Sequence, residues 1–212
     1  MQTNPPSDCP LCPRLVAFRH KAQKEHPDWH NGPVNNWGSE APALLIVGLA
    51  PGLRGANRTG RPFTGDYAGD LLYDTLKKFG LAQGEYAAAP DDSLRLTGAL
   101  IVNSVRCVPP QNKPTGEEIK TCRRFLTNTI NANPQARAFF ALGRIAHDSL
   151  LSALGIPRSR MPFGHAAVHQ LGEGRVLVDS YHCSRYNTNT GRLTADMFES
   201  AMGLAAKYAK AG

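Results

Sequence analysis

Four short apolar runs divide the chain: Ala43 to Val47, Ala99 to Val102, Ala138 to Leu142 and Val176 to Val178. Each is strand-sized and apolar throughout rather than alternating, the pattern of a parallel strand covered on both faces. Between them, apolar residues recur at helical spacing. Leu15, Val16 and Phe18 follow Pro13, while Leu71, Leu72, Leu76 and Phe79 run up to Gly80, a residue suited to closing a helix. Thr115 with Glu118 three positions later is a capping box that opens another helix. Ile145, Leu150 and Leu151 mark the next, and a last helix is expected from Thr194 to Lys210.

Strands alternating with helices predict an α/β fold, a three-layer α/β/α sandwich around a central, mostly parallel four-stranded sheet with right-handed crossovers. No repeat, low-complexity tract or linker interrupts it, so residues 1–212 read as one domain with a proline-broken arm over residues 1–40. In such sheets ligands bind outside the carboxyl ends of the strands. The segments leaving those ends are 48–66, 103–114, 143–144 and 182–192, and chemistry is expected there.

Composition narrows the class. With 42% hydrophobic and 19% charged residues, the chain has material for a sizeable core and no signature of disorder. Lys and Arg total 24 against 17 Asp and Glu, a net charge of +7, which points to an anionic partner with nucleic acid first. No apolar run approaches the roughly 20 residues of a membrane span. Met1 to Pro6 has neither the basic nor the apolar region of a signal peptide. A cytoplasmic protein without a membrane partner is therefore expected.

In that compartment five cysteines are poor disulfide material. Cys9 and Cys12 form a C-x2-C pair, and Cys107 and Cys122 are separated by 14 residues. Together they suit one four-thiolate site, zinc or an iron–sulfur cluster; thiolates alone do not separate the two metals. A closed set of four ligands leaves no open position for substrate, so the site would be structural and would tie the arm to the loop after the second strand. The plainer alternative is a pair of buried apolar cysteines and an incidental knuckle.

The loop from Gly48 to Asp66 is glycine-rich but matches neither nucleotide-phosphate pattern. It offers backbone N–H groups after a strand, a phenylalanine and a carboxylate near a helix start. Backbone donors suit a developing anion.

Read as motifs, G-L-A-P-G…N-R-T-G-R-P-F-T-G-D, P-P-x-N-K-P-T from Pro109 to Thr115, and S-Y-H-x-S-R-x-N-T-x-T-G-R-L-T from Ser180 onward stand in order along the chain. Together with the cysteine set they resemble the uracil-DNA glycosylase superfamily, and within it family 5. The resemblance runs from Cys9 to the final helix. It implies a DNA repair enzyme that excises uracil, and related damaged bases, and carries a [4Fe-4S] cluster. By position, Cys9, Cys12, Cys107 and Cys122 would hold the cluster. Asp66, Asn112 and His182 would be the catalytic groups, and Phe63 the ring on which a flipped base stacks. The chemistry fits those residue types. Breaking an N-glycosidic bond builds negative charge on the base and positive charge on the sugar. His182 and the amides around Leu49 and Ala50 can meet the first, and Asp66 can position water and meet the second.

The polar loop after His182 carries Arg185, Tyr186 and Asn187, and with Arg58 and Arg61 these are candidate DNA contacts. Two positions depart from the pattern: Cys183 stands where relatives usually carry proline or an apolar residue, and Asn103 matches a base-reading asparagine of the related family 4. A side-chain amide there can pair with both a carbonyl and the ring N–H of uracil. A monomer acting on uracil-containing DNA is expected. The competing readings are a catalytically idle cluster protein that binds DNA and a basic small-molecule hydrolase.

Overall fold

The computed structural model describes residues 1–210, so the last two positions of the expected 1–212 domain lie outside the described residues. The four apolar runs are the strands β2 (Leu44–Gly48), β5 (Ala99–Asn103), β6 (Ala138–Leu142) and β8 (Arg175–Ser180), every residue of the first three buried. They pair in parallel in the order β5-β2-β6-β8, with Ile46 opposite Ile101 and Phe140 and Phe140 opposite Val178.

The sheet has six strands rather than four. β1 (Trp37–Gly38) adds antiparallel to β5, and β7 (Val168–Gly172) adds antiparallel to β8. Both edges escape a search for apolar runs. β1 is two residues long, and β7 alternates polar with apolar because only one of its faces meets the core. The usable signal was Gly172-Glu173-Gly174 between two short apolar stretches, whose positive φ values make the hairpin turn. A separate ribbon pairs β3 (Ala82–Gln83) with β4 (Arg95–Leu96).

Alternation along the parallel strands sorts the helices into two layers. Leu44, Ile46, Ile101, Phe140 and Val178 face one core, shared with α3 (Tyr67–Lys78) and α7 (Ala195–Lys210). Leu45, Val47, Val102, Phe139 and Leu177 face the other, against α4 (Gly116–Asn131) and α5 (Arg144–Ala153). The three-layer sandwich follows from period-two side-chain direction alone. The capping box at Thr115 forms as expected, Thr115 Oγ1 accepting from the Glu118 amide and Glu118 from the Thr115 amide. The arm contributes α1 (Pro13–Glu25) and packs Leu15 against Val105, Cys107, Cys122 and Phe125. No helix among the described residues is long and apolar enough to cross a membrane.

Candidate functional site

The carboxyl ends of β2, β5 and β8 open into a cleft of about 620 Å³. Leu49, Ala50, Phe63, Asp66, Asn103, Asn112 and His182 all line it, every residue read from the sequence as catalytic or base-binding. They arrive from four separate segments of chain. The glycine-rich loop, which includes the short helix α2 (Ala56–Thr59), carries the first four. Asn103 ends β5, Asn112 closes a 3-10 turn over Pro110–Asn112, and His182 follows β8.

The loop is glycine-rich because side chains must reach its backbone closely. A Cβ at Gly55 would sit 2.3 Å from Asp66 Oδ2, and one at Gly48 would sit 2.4 Å from Asn103 Oδ1 and 2.9 Å from the Phe63 ring. The loop is anchored from the arm: Asn57 Nδ2 donates to Asn31 Oδ1 at 3.0 Å, and the Asn31 amide donates to Asn57 O at 3.0 Å.

Phe63 has φ +51, a left-handed conformation that a bulky residue rarely adopts, so its ring is held in place by its surroundings. It lies 5.9 Å from the His182 ring, centroid to centroid, the planes inclined by 28°. Both rings line the cleft.

The polar groups on the walls are left open. Asp66 Oδ1 and Asn103 Oδ1 are both buried without a hydrogen-bond partner in the protein. Burial raises the Asp66 carboxyl above its ordinary range, against the lowering effect of the Ala68 and Gly69 amides at the start of α3. Burial pushes His182 down to about 4, so its imidazole is neutral at physiological pH. Asn187 Nδ2 donates to His182 O at 2.8 Å and fixes the backbone that presents the ring. Asn112 stands at the exposed rim with φ +56, next to Gln111 with the same φ.

The candidate DNA contacts divide. Arg58 is exposed, and Arg185 reaches the cleft with its guanidinium 5.3 Å from the Tyr67 ring. Tyr186 is 72% exposed on α6 (Arg185–Asn189), a helical turn capped by Ser184 where the sequence read as a loop. One is corrected. Arg61 is 4% exposed and donates twice to Asp92, at 2.7 Å each, beside Trp37, Tyr73 and Tyr86; it is a buried structural cation and out of a duplex's reach. Asn187, half-buried on the same helical turn as Tyr186, donates from Nδ2 to His182 O. Tyr67 was missed; its signal is its place directly after Asp66. Cys183 is fully buried in the core with Sγ 3.4 Å from Ala68 O.

Cys9, Cys12, Cys107 and Cys122 come together around one small pocket under Ala50. Zinc holds thiolates at 2.3 Å, which brings tetrahedral sulfurs to about 3.8 Å apart. No three of these sulfurs lie within 4.8 Å of one another; among the described residues only the ligand atoms of His147, His169 and Asp179 do. As placed, the four sulfurs are spread more widely than a single tetrahedral ion would hold them. Burial also pushes the Cys107 thiol up to about 12 and Cys122 to about 11, so thiolates here need a metal's positive charge to form. The histidine group satisfies itself. Asp179 accepts from His147 Nδ1 at 2.7 Å and His169 Nε2 at 3.0 Å, and His147 Nε2 faces Met161 O at 2.9 Å.

Comparison with known proteins agrees with this geometry. The family model described as the uracil DNA glycosylase superfamily matches residues 36–204. A Type-5 uracil-DNA glycosylase of Thermus thermophilus is 46% identical over 196 residues, covering 90% of this chain and 89% of the relative. One of Mycobacterium tuberculosis is 42% identical over 214 residues, covering 96% and 79%. A Type-4 uracil-DNA glycosylase of Pyrobaculum aerophilum is 31% identical over 149 residues, covering 70% and 62%. With a cleft assembled from the same motifs that carried the resemblance, and full-length relatives well above 30% identity, the chain belongs to the uracil-DNA glycosylase superfamily.

Proposed function

We propose that the cleft receives a uracil extruded from DNA, stacks it on Phe63, reads its edge with Asn103 and hydrolyses its N-glycosidic bond with Asp66 and His182. Family membership makes the chain a uracil-DNA glycosylase, a hydrolase of N-glycosyl bonds. The observation that carries the residue roles is the pair of buried, unpartnered acceptors, Asp66 Oδ1 and Asn103 Oδ1, facing one cleft beside the stacked Phe63 and His182 rings. Buried polar atoms are nearly always satisfied, and these two have places for a water and a base N–H.

The bond breaks with its electron pair going to the base and positive charge growing on the sugar. His182, neutral through burial, donates to the base oxygen, and that hydrogen bond strengthens as the oxygen becomes anionic. Asp66 orients the attacking water and accepts its proton as the oxygen joins the sugar carbon. The products are a free base and an abasic site. Asn112 at the rim holds the water or the base edge. Other deaminated or damaged bases belong to the same reading, since Phe63 stacks any flat ring.

Extrusion costs a few kcal/mol, and Arg58, Arg185 and the exposed Tyr186 are the groups we assign to the duplex and the gap left in it. Action as a monomer is part of this reading. The four cysteines are assigned an iron–sulfur cluster, supported by their spread and burial; the cluster would cross-link the arm to the Ala50 loop. A closed set of protein ligands gives it no part in bond breaking.

The test is excision from labelled duplexes with uracil opposite guanine or adenine, read as alkaline strand cleavage, for the wild type, Asp66→Asn and Asn103→Ala. Cleavage by the wild type, its loss in Asp66→Asn and altered preference between uracil and other bases in Asn103→Ala are expected. Cleavage by Asp66→Asn at the wild-type rate would remove Asp66 from the chemistry. An inactive wild type that still binds DNA would favour the idle binding protein.

A further inference from the structure

Two arginines of this protein are buried without an acid. Arg106 is 1% exposed and Arg19 4%. The Arg106 guanidinium donates to Asn4 Oδ1 at 3.2 Å and Thr3 O at 3.3 Å, and that of Arg19 to Ser7 O at 3.1 Å and Cys9 O at 2.8 Å. The Nε of each is buried with no partner. All four acceptors are neutral. The third buried arginine, Arg61, takes Asp92, and the exposed Arg14 takes Glu118 in a two-point contact at 2.8 and 2.7 Å. Burying a charge without an opposite one is among the costliest arrangements a fold can keep. Guanidinium does not escape by losing its proton.

Both cations flank the four cysteines. Arg106 precedes Cys107 directly, and its amide donates to Cys122 Sγ at 3.4 Å. Arg106 lines the same small pocket as Cys9, Cys12, Cys107 and Cys122, and Arg19 reaches it through the carbonyl of Cys9. Glu118, the acid in the first turn of α4, is already taken by Arg14.

We propose that Arg19 and Arg106 are the built-in counter-charge of the metal group on Cys9, Cys12, Cys107 and Cys122. This rests on the iron–sulfur reading of those cysteines. Four thiolates on a doubly positive iron–sulfur core leave a net charge of two minus, and two guanidiniums balance it. The same residues hold Thr3, Asn4, Ser7 and Cys9, so the arm is folded around the cations and the cations around the cluster. Arg19 and Arg106 are positioning residues that tune the cluster's stability and potential, with no contact to DNA.

The test uses the full chain purified with its iron: wild type, Arg106→Gln, Arg19→Gln, Arg106→Lys and Arg19→Lys. Iron and sulfide per chain are measured first, then loss of iron to a chelator and the reduction potential on an electrode. Removing a positive charge moves any couple of the cluster to more negative potential, so both Gln variants should shift that way and lose iron several-fold faster. Both Lys variants should stay near the wild type. A purely structural role would lower the thermal midpoint and leave the potential of the loaded protein unmoved. Unchanged potentials in the Gln variants, or Lys variants that fall as far as Gln, would overturn the proposal. Should Arg106→Gln fail to fold, Arg19→Gln carries the comparison. A wild type without iron would overturn the cluster reading itself and this inference with it, and the iron assay separates that outcome from the others.

Discussion

Replacing Gly48 by alanine adds one methyl group against Asn103 and Phe63, two residues that line the cleft. Gly48 ends β2 without a positive φ, so the backbone tolerates alanine and the effect is purely one of space. The new Cβ would lie 2.4 Å from Asn103 Oδ1 and 2.9 and 3.1 Å from two carbons of the Phe63 ring. Those contacts are well inside van der Waals distance, so the amide and the ring must both move. Phe63 has little freedom to do so: its φ is already left-handed, and its carbonyl accepts from Tyr86 Oη at 3.2 Å. Overpacking of this kind costs about 1–3 kcal/mol, which in a chain of this size lowers the thermal midpoint by roughly 2–12 °C. The loss in excision should be larger, because a shift of about 1 Å in a reacting geometry costs on the order of 100-fold. Single-turnover release of uracil and thermal unfolding read the two effects on one preparation. Gly116→Ala, where an added methyl meets nothing within 4 Å, is the control and should match the wild type in both. Excision by Gly48→Ala within twofold of the wild type would refute the placement of Phe63 and Asn103 as the base pocket.

Other outcomes follow from the same site. His182→Ala removes one donor to the leaving base and should lower the single-turnover rate by about 10²–10³, measured under saturating enzyme. Asp66 must be ionised to accept a proton and its carboxyl is raised by burial, so activity should fall as pH drops through a value above the ordinary carboxylate range. No inflection near 6.5 should come from His182, which burial keeps neutral; a rate–pH profile on the wild type and on His182→Ala checks both. Asp66→Asn removes a buried charge with no loss of shape, so its thermal midpoint should equal or exceed that of the wild type while excision is lost. Arg61→Met leaves Asp92 buried and unpaired and should cost about 3–5 kcal/mol of stability without changing the salt dependence of DNA binding. The pair holds Asp92 down at about 2, so its contribution is complete above the usual carboxylate range and lost as pH falls from there through about 2.

The parallel strands, the helix layers and the cleft were legible because one physical rule governs each. Doubly covered strands are apolar at every position, as in Ala138 to Leu142, and helices sandwiching them show period 3.6. Chemistry gathers at the carboxyl ends of such strands, which is why residues as distant as Leu49 and His182 meet. The edge strands were not legible, because Trp37–Gly38 is too short for any period and Val168–Gly172 pairs on one side only. Arg61 was misplaced for a different reason. An arginine in a polar loop looks the same whether it reaches solvent or folds inward, and its partner Asp92 lies 31 residues away with no local signal. The cysteines were legible as a set, but their identity as cluster ligands came from motif resemblance, and the spread of the sulfurs became visible only in three dimensions.

The most direct test of the central claim is release of free uracil by the purified wild-type chain from a duplex carrying a single uracil, quantified by chromatography against the abasic sites formed. The account predicts one uracil and one abasic site per duplex, with strand breaks only after alkali. Intact duplex recovered with bound protein, or cleaved strands with uracil still attached, would contradict it.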